Sequence, residues 1–265
     1  MRFLSIASGS SGNCIYCGSD TTHILVDAGI SGKRTEAGLN KIDLTTRDLD
    51  AIFISHEHSD HIGGLGVIAK RYNIPIYASK GTIEGIKSSS IGKCIDESLY
   101  HVIKADEKIM IRDMCINPMK ISHDANEPLA MRISSDGKKA AIVTDLGTYD
   151  DYTVGSLMGL NLLLCEANHD VRMLETGPYP YPLKRRILGD RGHLSNENSG
   201  RLISDILNDD LSHIILGHLS KENNLPDIAY NTVRLEIDFS DNEYHAKDFE
   251  LTVAKRDEPL DVITI

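Results

Sequence analysis

No apolar run in the 265-residue chain reaches membrane-spanning length. The opening segment, Met1 to Ala7, is too short an apolar stretch for a secretory signal and reads as a first strand running into Ser8-Gly9-Ser10-Ser11-Gly12. Neither a membrane association nor export is expected, and the cytoplasm is the expected location. The five cysteines are an odd number which, without an export signal, argues for reduced thiols rather than a disulfide framework. Cys14-x-x-Cys17 lacks a second pair to complete a zinc clamp, and strand positions three apart point to opposite faces, so a structural role is expected. Positive charge is also short. With 28 Lys and Arg against 39 Asp and Glu, the net charge of −11 opposes general attraction to a polyanion. No linker or low-complexity block divides the chain, whose 41% hydrophobic content can fill the core of one α/β domain over residues 1–265.

What is present alternates between strand and helix signals. Ile62, Leu65, Ile68, Ala69 and Tyr72 repeat at helical spacing before Pro75 breaks the chain. Asp136-Gly137 predicts a hairpin between 131–133 and 140–143. Ser195 opens a helix through Leu202, Ile203, Ile206 and Leu207. Asn224-Leu225-Pro226 reads as the cap and first turn of another, and Phe249, Leu251 and Val253 return to period two.

Against this background, His56-Glu57-His58-Ser59-Asp60-His61 stands out, directly after the apolar run 51–55. Clustered imidazoles repel one another when charged and compete for partners when neutral, whereas a metal uses their neutral nitrogens and takes a carboxylate besides. His56 and His58 alternate in an extended segment while Asp60 and His61 turn away as a helix begins, which suits two metals better than one. Further candidates share one structural place: Asp27, His123, Asp145 and His218 each follow an apolar strand. Loops at the carboxyl ends of strands are where α/β proteins gather sites. Any one of these residues taken alone reads as a surface or capping residue.

With its H-x-H-x-D-H at 56–61 and this recurrence, the chain resembles the metallo-β-lactamase-fold hydrolases. The resemblance implies an αβ/βα sandwich of two mixed sheets with helices on the outer faces; periodicity alone gives only α/β. It further implies one metal on His56, His58 and His123 and a second on Asp60, His61 and His218, with Asp145 bridging. Asp27 would orient the site. Segments 8–14, 166–170, 177–186 and 192–196 are similar to the YycJ/WalJ group of bacterial nucleases. That similarity implies 5′-to-3′ exonuclease activity on duplex DNA, with two zinc or manganese ions generating a hydroxide nucleophile. Asp at 60 rather than Cys, with Asp145 able to bridge, provides hard oxygen ligands suited to clamping a phosphoryl group.

Something must still protonate the leaving alkoxide. His193, in a loop before a helix and without a ligand role once His218 is assigned, is the candidate catalytic acid beside the ligand Asp60; the alternative exchanges the roles of His193 and His218. Recruitment of DNA by an acidic chain has to be local. Lys184, Arg185, Arg186 and Arg191 could line a phosphate track or form a solvated helix face. Ser10 and Asn13 in the Gly/Ser loop could present the backbone to phosphate or form a hairpin connection; Asn168 and His169 could touch substrate or cap a helix. Other readings are a small-molecule cyclic phosphodiesterase, an RNA-processing nuclease, for which no Gly/Pro-rich arm or inserted cap domain is evident, and a metal-binding module without turnover.

Overall fold

The computed structural model describes residues 1–265. The first half contains β1 (Arg2–Ala7), β2 (Cys14–Gly18), β3 (His23–Val26), α1 (Gly32–Leu39), β4 (Ala51–Phe53), α2 (Ser59–Ile62), α3 (Leu65–Tyr72), β5 (Ile76–Ala78), α4 (Lys80–Ser88), β6 (Tyr100–Val102), β7 (Ile109–Ile111) and β8 (Met114–Lys120). There follow β9 (Leu129–Ser135), β10 (Lys138–Val143), α5 (Asp151–Leu157), β11 (Leu162–Glu166), α6 (Val171–Thr176), α7 (Tyr181–Leu188), α8 (Asn196–Ile206), β12 (His213–Gly217), α9 (Pro226–Asp238), β13 (Glu250–Val253) and β14 (Ile263–Thr264). The strands make two seven-stranded mixed sheets, the α/β class expected. No helix is long and apolar enough to cross a membrane.

Contacts gather into two compact units. One comprises residues 1–120, 125–138 and 255–265, and the other residues 121–124 and 139–254. In the first, β14-β1-β2-β3-β4-β5-β6 form one sheet, antiparallel from β14 to β3 and parallel from β3 to β6. Its strands read as continuous apolar runs because both faces are covered. Leu4, Ile6, Leu25, Ile52 and Ile54 pack in one core with Leu39, Leu65 and Ile68 from α1 and α3. Burying each such side chain contributes about 1.5–3 kcal/mol. The same unit carries the antiparallel β7-β8-β9. In the second, β10, β11, β12 and β13 are all parallel. Leu163, Leu164, Ile214 and Ile215 are fully buried, as are Leu202 and Ile203 of α8 and Val233 and Ile237 of α9.

The helix predicted after the histidine motif is two helices. Gly63 and Gly64 separate α2 from α3, since a Cβ at Gly64 would lie 1.9 Å from the Ile30 carbonyl oxygen, while the Gly64 N–H donates to the Ala28 carbonyl at 2.7 Å. Asp136 and Gly137 both have positive φ, as a tight connection between β9 and β10 needs. Ser195 caps α8 as predicted, accepting from Asn198 N–H. Asn224 does not cap α9: Leu225 holds that position, with Pro226 first in the helix. The Asn224 amide is buried instead, donating to the carbonyls of Ala167 and Asn168 and to Asn196 Oδ1.

Backbone stitching fixes the histidine motif in the first unit. Asn13 N–H donates to the Asp60 carbonyl, Ala28 N–H to the His61 carbonyl and Gly29 N–H to the Asn13 carbonyl, each at 2.8 Å. Gly29 is essential to this approach, because a Cβ there would sit 1.7 Å from the Asp60 carbonyl oxygen. Gly29→Ala is therefore expected to destabilise the protein by about 3 kcal/mol or more, as backbone cannot yield as a flexible side chain does. Gly155→Ala, in α5 with nothing within 4 Å of the new methyl group, should instead gain about 0.5–1 kcal/mol. Urea unfolding of the two variants provides the comparison, and an unperturbed midpoint for Gly29→Ala would refute it.

Candidate metal centre

In the first unit, β3 ends at Asp27 and β4 leads into the histidine motif, and Ser55 ties the two. Its N–H and hydroxyl donate to the buried Asp27 carboxylate at 2.8–3.0 Å, while the hydroxyl oxygen lies 3.0 Å from His56 Nδ1. Asp27 also accepts from His61 Nδ1 at 2.7 Å, with both side chains fully buried. A carboxylate on Nδ1 fixes the tautomer and leaves Nε2 as a lone-pair donor. His61 Nε2 lies 3.5 Å from Asp60 Oδ2. His56 Nε2 and His58 Nδ1 face one another at 3.0 Å, an approach that two lone pairs tolerate only with a shared proton or cation between them. The Asp27 carboxylate thus holds the His61 ring through Nδ1.

In the second unit, the parallel register carries the ends of β10, β11 and β12 to one edge, placing Asp145, Glu166 and His218 there. His123 Nδ1 donates to the Gly192 carbonyl at 3.1 Å and His218 Nδ1 to Glu166 Oε1 at 2.7 Å, so each turns Nε2 inward. Both Nε2 atoms lie 3.6 Å from Asp145 Oδ1. Asp27, Asp145 and His218 share a left-handed backbone, with φ of 62°, 58° and 54°. That conformation is disfavoured for residues with a Cβ, Asp and His less so than most, and it turns each side chain sharply off its strand end.

Glu166 is the participant that sequence reasoning missed. Fully buried at the end of β11, its Oε1 accepts from both His218 and His193, the latter at 2.8 Å, and its Oε2 from the N–H groups of Leu146 and Leu194. Burial pushes its carboxyl upward, but the two histidines outweigh that and hold it well below the usual carboxylate range. It follows an apolar strand, as Asp27 and Asp145 do, and that was the available signal. For His193, burial disfavours the charged ring, yet the Glu166 charge and hydrogen bond raise its pKa. Burial lowers the pKa of His123 despite neighbouring Asp145.

These donors fit a divalent cation. In each unit, imidazole nitrogens converge beside a carboxylate oxygen, which is the donor chemistry of zinc and manganese sites. Asp145, Glu166, His193 and His218 keep one donor atom each within 4.8 Å of the others.

The residues expected to touch substrate fare differently. Ser10 is exposed in the turn after β1. Asn13 is buried, its Oδ1 accepting from Gly9 N–H at 3.0 Å and its Nδ2 lying 3.1 Å from His61 Nε2, while Gly12 N–H is used by the Gly9 carbonyl. This Gly/Ser loop is thus the β1–β2 connection. Asn168 braces the last histidine, donating to the His218 carbonyl at 2.9 Å. Neither it nor His169 caps α6; Asp170 does, accepting from Met173 N–H, because its carboxylate stands at the position preceding the helix. Burial drives the His169 pKa down to about 4. Of the basic track, Lys184 donates to the carbonyls of Glu175 and Gly177, Arg186 pairs with Asp124, and Arg191 Nε donates to the His123 carbonyl. Three of the four cations thus brace loops, and Arg185 is exposed on α7. All five cysteines are free, and burial pushes Cys14 up to about 12, which suits a structural role for the pair in β2.

Residues 22–214 match the beta-lactamase superfamily domain. The chain is 40% identical over 233 residues to exodeoxyribonuclease YycJ of Bacillus anthracis, covering 88% of each chain. It is also 40% identical over 232 residues to exodeoxyribonuclease WalJ of Streptococcus pneumoniae serotype 2, covering 88% of this chain and 86% of that one. Among solved structures, the metallo-beta-lactamase fold protein YhfI of Bacillus subtilis superposes with a TM-score of 0.70 at 20% identity, over 98% of both chains. The chain therefore belongs to the metallo-β-lactamase-fold hydrolases, in the family of the bacterial YycJ and WalJ proteins.

Proposed function

We propose that this chain is a metal-dependent exodeoxyribonuclease that digests duplex DNA in the 5′-to-3′ direction with two divalent ions, zinc or manganese. The observation that carries the reading is its 40% identity, over 88% of its length, to a protein named as an exodeoxyribonuclease. The donor sets support it. We take residues 1–265 as one catalytic domain in which His56, His58 and His123 would hold one ion and Asp60, His61 and His218 the other, with Asp145 serving both. When bound, the ions supply Lewis acidity toward the phosphodiester and toward water. The chain's own residues do the rest. Asp27 and Glu166 keep the ligand histidines in the tautomers that leave Nε2 available, and Glu166 holds His193 by Nδ1, so that its Nε2 can carry the proton to the leaving alkoxide.

The deciding experiment incubates metal-loaded protein with 5′- and 3′-labelled duplex DNA, single-stranded DNA, RNA and a cyclic nucleotide. Mononucleotides released first from the 5′ end of the duplex are expected. Rapid hydrolysis of the cyclic phosphate without duplex digestion would replace the reading with a small-molecule phosphodiesterase. Elemental analysis at saturation should give two metals per chain, and one would defeat the ligand assignment. Arg185→Ala should raise the Michaelis constant for duplex DNA and reduce the log–log salt slope by about one, the loss of one phosphate contact. An unchanged slope would take Arg185 off the DNA path.

A further inference from the structure

The sequence Pro178-Tyr179-Pro180-Tyr181-Pro182 sets two tyrosines between three prolines in a chain with only 5% aromatic residues. Tyr181, the first residue of α7, is 72% exposed. Its packing thus supplies no reason for a large aromatic there. Proline fixes φ, so the segment has little backbone freedom left to lose when a ligand covers it. Arg185 follows at i+4, on the same helix face as Tyr181, and is also exposed. Residues 177–188 contain three cations and no acidic side chain, a local inversion of a net charge of −11.

The segment is also braced at both ends. Lys184 Nζ binds the carbonyls of Glu175 at 2.8 Å and Gly177 at 2.7 Å, tying the proline run to its helix. At the other end, Arg186 pairs with Asp124, Arg191 Nε donates to the His123 carbonyl and Ser122 Oγ donates to the Asp190 carbonyl. These contacts tie the last turn of α7 and the loop after it to the segment that carries His123, a proposed metal ligand. An exposed flat aromatic with an exposed cation one helical turn on, in a segment without acidic side chains, matches a nucleobase and its phosphate; stacking works for every base.

We propose that Tyr181 is a stacking platform for an unpaired base of the DNA strand under digestion, with Arg185 holding that nucleotide's phosphate. The proposal rests on the nuclease reading above. The chain has no tryptophan, so Tyr181→Trp introduces a single fluorophore at the platform, and Phe239→Trp, at a position 82% exposed after α9, is its control. Metal-loaded variants would be titrated with a cleavage-resistant phosphorothioate oligothymidylate and with an abasic oligomer of equal length and charge. The base-bearing strand should quench Tyr181→Trp well beyond the abasic one and leave Phe239→Trp unaltered. Tyr181→Ala should raise the Michaelis constant for DNA by about 5- to 100-fold, with Tyr181→Phe close to wild type. Equal responses to the two oligomers, or a Tyr181→Ala enzyme with the wild-type Michaelis constant, would overturn the platform. So would a fluorescence change that tracks protein concentration without DNA, which would make the occupant a second copy. Duplex digestion without base-dependent quenching fails the platform alone; quenching without digestion of any DNA keeps it and fails the nuclease reading.

Discussion

Replacing His193 with alanine is expected to lower turnover by about 10²–10⁴-fold, the usual contribution of a positioned acid or base, with metal content unchanged. The expectation comes from the geometry of one ring. Nδ1 is committed to Glu166 at 2.8 Å, the side chain is 16% exposed, and the opposite nitrogen can carry a proton. Substrates whose leaving group needs no protonation should lose less. If elemental analysis shows that the variant has emptied a metal position, His193 is a ligand, and its role must be exchanged with that of His218.

Glu166→Gln should act on two functions at once, because one carboxylate oxygen serves both His193 and His218. An amide has one acceptor oxygen where the carboxylate has two, so its NH2 must face either the two rings or the Leu146 and Leu194 N–H groups, and the Glu166 charge that holds both rings is lost in either case. Metal affinity is expected to fall by about 10–100-fold, the typical cost of removing a ligand's outer hydrogen-bond partner, read by competition with a chelator. The pH profile should move as well. Burial opposes protonation of His193, and Glu166 outweighs it to raise the pKa. The protonated acid, with the stability its ion pair contributes, is therefore present at low pH and lost as pH rises through that raised value. Removing the negative charge lowers the value, so the descending limb of the turnover profile should shift to lower pH. A variant with wild-type metal affinity and an unmoved limb would show that Glu166 merely fills space.

The candidate donor types and their local spacing are readable from the chain alone. His56 to His61 are close in the chain, and their clustering needs no fold to be evident. Asp27, Asp145 and His218 were legible for a related reason: an apolar run ending in a metal-ligating residue type marks a strand end, and all three occupy one, in backbone that turns sharply off the strand. Glu166 ends a strand in the same way, yet its role depends on His193 and His218, 27 and 52 residues away. Only the parallel pairing that aligns Glu166 with Gly217 brings that carboxylate to His218. Asn13 and Asn224 show the same limit. Each sits where local rules assign a loop contact or a cap, and each has its amide claimed by distant chain, at His61 for one and at Ala167, Asn168 and Asn196 for the other. The committed cations on and after α7 follow suit, since no spacing rule shows Arg186 meeting Asp124 or Arg191 reaching the His123 carbonyl. Periodicity and residue type are local properties. The partner of a buried polar group is chosen by strand register and loop closure, which exist only once the chain has folded.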